Sequence, residues 1–477
     1  LLSGKINRRK GDFLKNYNEW IAEIDSELKP DKSFDIIKRP LKIGERQAVL
    51  YFIDGFIKDE VYEKILEFLY KQTAEDIAEI NDMSRFAENK LPYVETDAVY
   101  TASEAVTAVL SGPSVLIIKG IHGALTVDAR TYPMRGVEEP QKDRSLRGPR
   151  DGFVETLVMN TAMLRRRIRD SRLRMEYMQI GNETKLDISI AYIDGKADKR
   201  VLEILRQRLR AIQAGGISMT QEALAECLQK NAFFNPFPKF KFTERPDYAS
   251  ACVLDGRIAL IADNSPAVMI IPISFSDFFR ETDDYYFLPV VASYIRIIRM
   301  LVAMLNVVIT PLYLLLVSNS AAVPDWLGVL IPEKAGEVPV FVQLLILEFA
   351  VDGLRLASLN TPDSLSNSLG VVGGLLLSEF AVKAGWFSGE AILITAFTAI
   401  AGFSLPSFEM GYAMKLERLL LLILSGIFGL WGFIGGLVFI IICMLSVKTL
   451  SGRNYLYPII PFNLKGFAEF FLRFPMK

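Results

Sequence analysis

The stretch LLLLILSGIFGLWGFIGGLVFIIICMLSV, Leu419–Val447, contains no charged residue. As one helix its about 29 residues would extend roughly 43 Å, at about 1.5 Å per residue. A bilayer's hydrocarbon core needs only about 20 such residues. A soluble core helix of this length would have to be apolar on every face, which is rare outside membranes. The stretch is therefore read as a membrane anchor, and the rest of the chain by its relation to it.

Four further apolar segments precede the anchor. Lys415 and Arg418 stand just before it, and Lys448 and Arg453 follow. Glu390–Phe408 is one span, ending near Pro406. Leu365–Gly385 is rich in Gly and Ala, which allows close helix approach or a narrow pore lining. It carries Glu379 and Lys383 at i, i+4, either a structural pair or a polar ring in a channel. Val338–Ser358 is interrupted by Glu348, Asp352 and Arg355 at i, i+4, i+7. Charges at mid-membrane are costly unless they face protein or water. This helix therefore lies at the interface, or faces a pore or a partner subunit. Met300–Pro324 is uncharged, with Arg296 and Arg299 just ahead of it. By the positive-inside rule these arginines keep the preceding residues cytoplasmic. Four or five segments are expected, and if an even number cross, 338–358 is the one expected not to. The tail Tyr455–Asn463, YLYPIIPFN, suits an interfacial position.

The totals conceal this division. The 477 residues are 51% hydrophobic and 23% charged, with Lys+Arg 54 against Asp+Glu 55, a net charge of −1. No basic excess argues for nucleic acid. Most of the charge lies before residue 288. Residues 1–40 are polar, with a short amphipathic stretch around Tyr17–Leu28, and read as an arm or a loosely attached helix. Residues 41–144 hold strand signals at Ala48–Ile53, Ser114–Lys119 and Ala124–Arg130, and helical spacing at Asp59–Lys71 and Ser103–Leu110. Arg135–Arg150, with its prolines and glycines, is a hinge candidate. Residues 145–287 repeat the mixture. A helix is expected over Asp151–Asp170, strands at Arg172–Ile180, Leu186–Ile193 and Val268–Ile273, and a helix at Asp198–Ala211. Cys252–Leu254 and Arg257–Ala262 are expected to form a hairpin through Asp255-Gly256. Arg165, Arg169 and Arg172 would share a face if the first of these helices continued. Arg166 and Asp170 are an i, i+4 pair. The basic cluster reads as an anion or partner surface, or as a solvated face. The fold class is an α/β module of two subdomains, followed by an all-α polytopic membrane module at 288–454 and an interfacial tail at 455–477.

Chemistry is sparse. Cys227, Cys252 and Cys443 are far apart and make no disulfide framework or zinc pattern, and the single histidine, His122, excludes a paired-histidine metal site. No phosphate-binding glycine loop or nucleophile elbow occurs. The N-terminal LLSGKINRRKGDF has no signal-peptide core. An enzyme is not expected, nor a catalytic residue, a cofactor or a metal.

Several motifs in order resemble the GerA family of spore germination proteins, of A-subunit type. They are SLRGPRDGFVETLVMNTAMLRRRIRD (Ser145–Asp170), NPFPKFKFTERPD (Asn235–Asp247), LRLASLNTP (Leu354–Pro362), FTAIAGFSLPSFEMG (Phe397–Gly411) and YLYPIIPFN. The resemblance runs from about residue 41 to 465. RRRIRDSRLRMEYMQIG (Arg165–Gly181) and ARTYPMRGVEEP (Ala129–Pro140) are most similar to the SpoVAF branch. Gly148-Pro149-Arg150 is shared with the receptor subunits and does not separate them. The resemblance implies a multi-pass protein of the spore inner membrane with its N-terminal module cytoplasmic. It implies an oligomeric, pentameric ion channel working with other germination membrane proteins, linked to dipicolinic acid release and to amplifying germination. The alternative it allows is the A subunit of a nutrient germinant receptor, a signalling scaffold that conducts nothing. On the channel reading, Glu348, Asp352, Arg355, Glu379 and Lys383 are pore or intramembrane candidates. Arg165, Arg166, Arg169 and Arg172 are interface candidates.

Overall fold

The computed structural model describes residues 17–474 apart from 92, 94, 133–145, 213–215, 218–219, 230–234, 321–322, 333–336, 360, 362–369, 371–372, 375–380, 451 and 453. Two compact units result. Leu1–Ser145, Pro149–Lys230 and Phe242–Pro272 make the first, and Leu146–Gly148, Asn231–Lys241 and Ile273–Lys477 the second.

The first unit holds two five-stranded antiparallel sheets. Strands β1 (Ile36–Ile43), β2 (Arg46–Ile53), β3 (Thr96–Val99), β4 (Ser114–Ile118) and β5 (Ala124–Val127) lie in the order β1-β2-β4-β5-β3. Alternation along β2 sends Val49, Tyr51 and Ile53 to one face and Ala48 and Leu50 to the other. The first face packs on Trp20, Ile24 and Leu28 of α1 (Tyr17–Leu28) and on Val106 and Val109 of α4 (Ala102–Ser111). The second packs on Tyr62, Ile65 and Leu69 of α2 (Asp59–Tyr70) and Phe86 of α3 (Met83–Lys90). Helices on both faces explain why β4 is buried at every residue and reads as an unbroken apolar run. The expected arm is thus partly corrected. Tyr17–Leu28, the amphipathic stretch, and Ile36–Ile43 are a helix and a strand of this layered core, the helix burying Trp20, Ile24 and Leu28 at helical spacing.

The second sheet repeats the first. Strands β6 (Leu173–Ile180), β7 (Leu186–Ile193), β8 (Lys241–Thr243), β9 (Ile258–Ala262) and β10 (Val268–Ile271) take the order β6-β7-β9-β10-β8. Helix α5 (Leu157–Arg167) precedes β6 as α1 precedes β1. Helices α6 (Lys199–Arg210) and α7 (Thr220–Leu228) follow β7, and α8 (Pro246–Leu254) precedes β9. Both second strands end in Ile-Asp-Gly, at Ile53-Asp54-Gly55 and Ile193-Asp194-Gly195, with the glycines at φ 80 and 86. The expected 252–262 hairpin is not formed. Pro246 starts α8 at its first turn, where a missing N–H costs nothing. Gly256, at φ 90, then ends the helix and turns the chain into β9.

The second unit is helical. Its main helices are α10 (Pro289–Ser318), α11 (Val340–Leu359), α12 (Gly389–Phe403), α13 (Phe408–Ser446) and α14 (Leu464–Phe471), after a single turn α9 (Asp283–Tyr286). The 419–447 anchor is not one continuous helix. Gly429 has φ 57 and ψ −136, outside the helical region, and α13 doubles back there. A side chain at Gly432 would strike the Leu424 carbonyl, and one at Gly436 would meet Leu421 Cδ2 at 2.6 Å. Only glycines let the outgoing arm (408–428) and the returning arm (430–446) approach so closely.

Candidate functional site

Helix α11 places Glu348, Asp352 and Arg355 on one face, as their spacing predicts, and that face meets α13. The two run antiparallel. Phe341 lies at Gly426, Glu348 pairs with Arg418, and Asp352 pairs with Lys415. Arg418 Nη2 donates to Glu348 Oε2 at 2.9 Å, and its Nη1 donates to the Asn306 carbonyl at 3.1 Å and to Asn306 Oδ1. Lys415 Nζ lies 3.7 Å from Glu348 Oε2 and donates to Asp352 Oδ1. The side chains of Glu348 and Arg418 are 2% and 4% exposed, whereas Asp352 keeps 32%. Among the described residues, Glu348 Oε1 and Arg418 Nε have no partner. Arg355 leaves this network. Its guanidinium stacks 5.0 Å from the Phe403 ring and 4.9 Å from that of Tyr412.

The cluster contains two carboxylates, two cations and an amide, so it is neutral within one chain. Neutrality and hydrogen bonding are what let charges persist among apolar helices. In the sequence Lys415 and Arg418 look like charges flanking the anchor, and Asn306 is one amide inside an apolar run. The signal was a Lys-x-x-Arg pair (i, i+3) facing a Glu-x-x-x-Asp pair (i, i+4), plus an amide inside an apolar run. Glu379 lies outside the described residues, so the Glu379–Lys383 pair does as well. Lys383 is exposed, in the single turn Ala381–Lys383.

The ends of the helical unit converge. Asn235 Nδ2 donates to the Cys443 carbonyl at 2.8 Å, near the end of the returning arm. The Tyr455 carbonyl accepts from the Phe275 N–H at 2.8 Å, and Arg296 Nη1 donates to the Glu469 carbonyl of α14 at 3.0 Å. The start of α10 and the end of α13 therefore lie at the same end. Arg296 and Arg299 are not free charges there. They pair with Asp284 at 3.0 Å and 3.3 Å, and Arg299 also pairs with Glu281. Burial pushes the Glu281 carboxyl up, against the opposing pull of Arg299. The arginines ahead of α10 are thus part of a paired network at this end of the helix.

The arginine cluster of the first unit is dispersed rather than shared. Helix α5 stops at Arg167, with Ile168 as its C-cap, so Arg169 and Arg172 are off the helix and the common face does not form. Arg165 is fully buried. It forks onto Asp35, also fully buried, at 2.7 and 3.2 Å, and donates to the Leu173 carbonyl at 3.2 Å. Arg166 stacks 4.3 Å from the Tyr132 ring, and Arg167 binds Asp151 at 2.6 Å. Asp170 pairs with Arg172 at 2.7 Å, not with Arg166. Arg169 is exposed, on the wall of an open cleft with Arg167, Ser103, Thr107 and Leu254.

Comparison with known proteins bears on both units together. The profile of the Bacillus/Clostridium GerA spore germination protein family matches residues 22–477. Stage V sporulation protein AF of Bacillus subtilis (strain 168) is 35% identical over 446 residues, covering 92% of this chain and 89% of the relative. Spore germination protein KA of the same organism is 32% identical over 462 residues, covering 95% and 84%. Spore germination protein GerLA of Bacillus cereus is 28% identical over 476 residues, covering 99% and 95%. Among solved structures, the N-terminal domain of the A subunit of the Bacillus megaterium spore germinant receptor GerK3 is 27% identical. It covers 55% of this chain and 97% of that one, with a TM-score of 0.41. With apolar helices long enough to cross a bilayer and a family match over nearly its whole length, the chain belongs to the GerA family of spore germination membrane proteins.

Proposed function

We propose that this protein is a subunit of an oligomeric assembly, a pentamer, that passes ions across the spore inner membrane during germination. On this reading it works with other germination membrane proteins, in the manner of the SpoVAF branch, amplifying germination or accompanying dipicolinic acid release. No catalytic step is involved. The observation that carries the reading is the Glu348–Asp352–Lys415–Arg418 cluster among apolar helices, with Asp352 at its partly exposed edge. Asp352 is the carboxylate placed to meet a second copy or a water-filled path. The shared end of α10 and α13 supports an even number of crossings, with both ends of the membrane module on the cytoplasmic side.

Purified protein in liposomes should leak K⁺ or Na⁺, and Asp352→Asn should change the preference between cation and anion. A detergent-solubilised monomer, or liposomes that stay tight, would overturn the reading. One observation favours the receptor-scaffold alternative. The cluster is already neutral within a single chain, so it needs no pore to be stable. One copy per complex with a transporter-like partner would establish that alternative instead.

A further inference from the structure

The ion pair at the centre of the membrane cluster is only half made. An arginine's Nε and one Nη point the same way and commonly take both oxygens of a carboxylate. Here Arg418 Nη2 alone reaches Glu348, at Oε2 and 2.9 Å. Nη1 turns instead to Asn306. Arg418 Nε, a donor, and Glu348 Oε1, an acceptor, are buried and left without a partner among the described residues.

A third group of this kind lies one turn away. Several hydroxyls in these helices bond back to the carbonyl four residues earlier. Ser293 donates to Pro289 at 2.6 Å, Ser318 to Leu314 at 2.8 Å and Thr395 to Ala391 at 2.9 Å. For Thr310 that carbonyl belongs to Asn306, and Arg418 Nη1 already holds it at 3.1 Å. Thr310 is fully buried, and its Oγ1 has no partner among the described residues. Its place is fixed from both sides. Asn306, Thr310 and Leu314 share one face of α10 at i, i+4 and i+8. Asn306 meets Arg418, and Leu314 shares an apolar cluster with Leu422, one turn on from Arg418. Ser425, on the same face of α13, carries a further buried hydroxyl without a partner.

Leaving such groups dry is costly, and native interiors satisfy them with protein atoms or ordered water. The two carboxylates and two cations of the cluster already balance, so the missing partner carries no net charge. It must accept from Arg418 Nε and donate to Glu348 Oε1, while the Thr310 hydroxyl can do either. Water does both, and a buried water typically makes about three such bonds. Lys415 lies between Glu348 and Asp352, so the polar groups continue to the partly exposed edge of the cluster and give water a way in.

We propose that Glu348, Arg418 and Thr310 form a hydration site inside each chain, holding ordered water between α10, α11 and α13. This goes beyond the channel reading, because the site is built within one chain and exists whether or not an assembly conducts ions.

The test uses the full chain in phosphatidylcholine–phosphatidylglycerol vesicles exposed to a brief X-ray pulse. Hydroxyl radicals made from water oxidise the side chains beside it, enclosed waters included. The reporters are Met414 and Leu422, both buried, one turn either side of Arg418. Their references are Met269 and Leu205, buried in the apolar core of the first unit. Peptide mass spectrometry should find each reporter oxidised severalfold faster than its reference. Thr310→Val keeps the shape of the side chain and removes the hydroxyl. It should bring the reporters towards the reference rates and lower the melting temperature in detergent. A dry, unpartnered hydroxyl behaves in the opposite way, because removing it leaves labelling unchanged and holds or raises the melting temperature. Wild-type reporters as slow as their references overturn the proposal. So does a Thr310→Val chain that labels as the wild type does, or melts at or above it. If that variant fails to fold, the wild-type rates still decide the matter.

Discussion

Replacing Arg165 by alanine tests the architecture of the first unit most directly. Arg165 and Asp35 are both fully buried, and their fork joins α5 to the segment entering β1. Around it the two sheets are stitched together. The Phe34 N–H donates to the Met175 carbonyl at 3.1 Å, the Met175 N–H to Ser33 Oγ at 3.2 Å, and Ser33 Oγ to the Leu173 carbonyl at 3.3 Å. Removing the guanidinium leaves Asp35 fully buried without its partner. Breaking one side of such a pair costs about 3–5 kcal/mol. At about 1.4 kcal/mol per tenfold, local opening should increase by about a hundredfold to a few thousandfold. Hydrogen–deuterium exchange on the full chain in detergent reads this directly, in peptides covering residues 33–36 and 173–176. Arg165→Met combined with Asp35→Leu should recover most of the protection, because an apolar pair of similar volume is tolerated where a lone charge is not. Arg172→Ala, removing an exposed pair, should change nothing beyond about 0.5 kcal/mol. Wild-type exchange in Arg165→Ala would refute the reasoning. An assembly defect without any loss of protection would instead return Arg165 to the interface role its sequence suggested.

Three further outcomes are expected. Leu421→Cys with Gly436→Cys, in a chain whose native cysteines are serine, should form a disulfide, whereas a continuous helix would separate these positions by roughly 22 Å. Failure to cross-link under mild oxidation would argue against the hairpin. Arg418→Met leaves Glu348 buried without its closest cation and should lower membrane-domain stability by about 3 kcal/mol, with partial recovery on adding Glu348→Gln, as read by thermal aggregation in detergent. Glu176 gives a pH dependence. Burial raises its carboxyl, but hydrogen bonds from Arg206 and Tyr192 outweigh this and hold it below its ordinary 4.5. The folded state therefore binds this proton less readily than the unfolded one. The stabilisation is present above about pH 4.5 and is lost as pH falls through the lowered value. Glu176→Gln should flatten that part of the acid-unfolding profile, and an unchanged profile would remove the pair as its cause.

Much of the architecture was legible in the chain itself. Runs such as Ser114–Ile118 and Leu186–Ile193 are apolar because strands covered on both faces must be, so composition alone marks them. The twin Ile-Asp-Gly turns at 53–55 and 193–195 even announce the duplicated sheet, though a shared tripeptide becomes a repeat only once both strand orders are known. The apolar segments, the 348/352/355 face and the family resemblance also follow from local pattern.

Pairing between distant residues does not. Arg165 and Arg172 belong to the same basic run, yet one is sealed against Asp35 and the other lies in water, because burial depends on what the fold brings alongside. Lys415 and Arg418 look like flanking charges until α11 supplies Glu348 and Asp352. The anchor is the clearest case. An uncharged run satisfies the bilayer equally as one long helix or as two shorter arms, and hydrophobicity carries no record of φ. The backbone at Gly429, together with the close packing that Gly432 and Gly436 permit, decides for the hairpin.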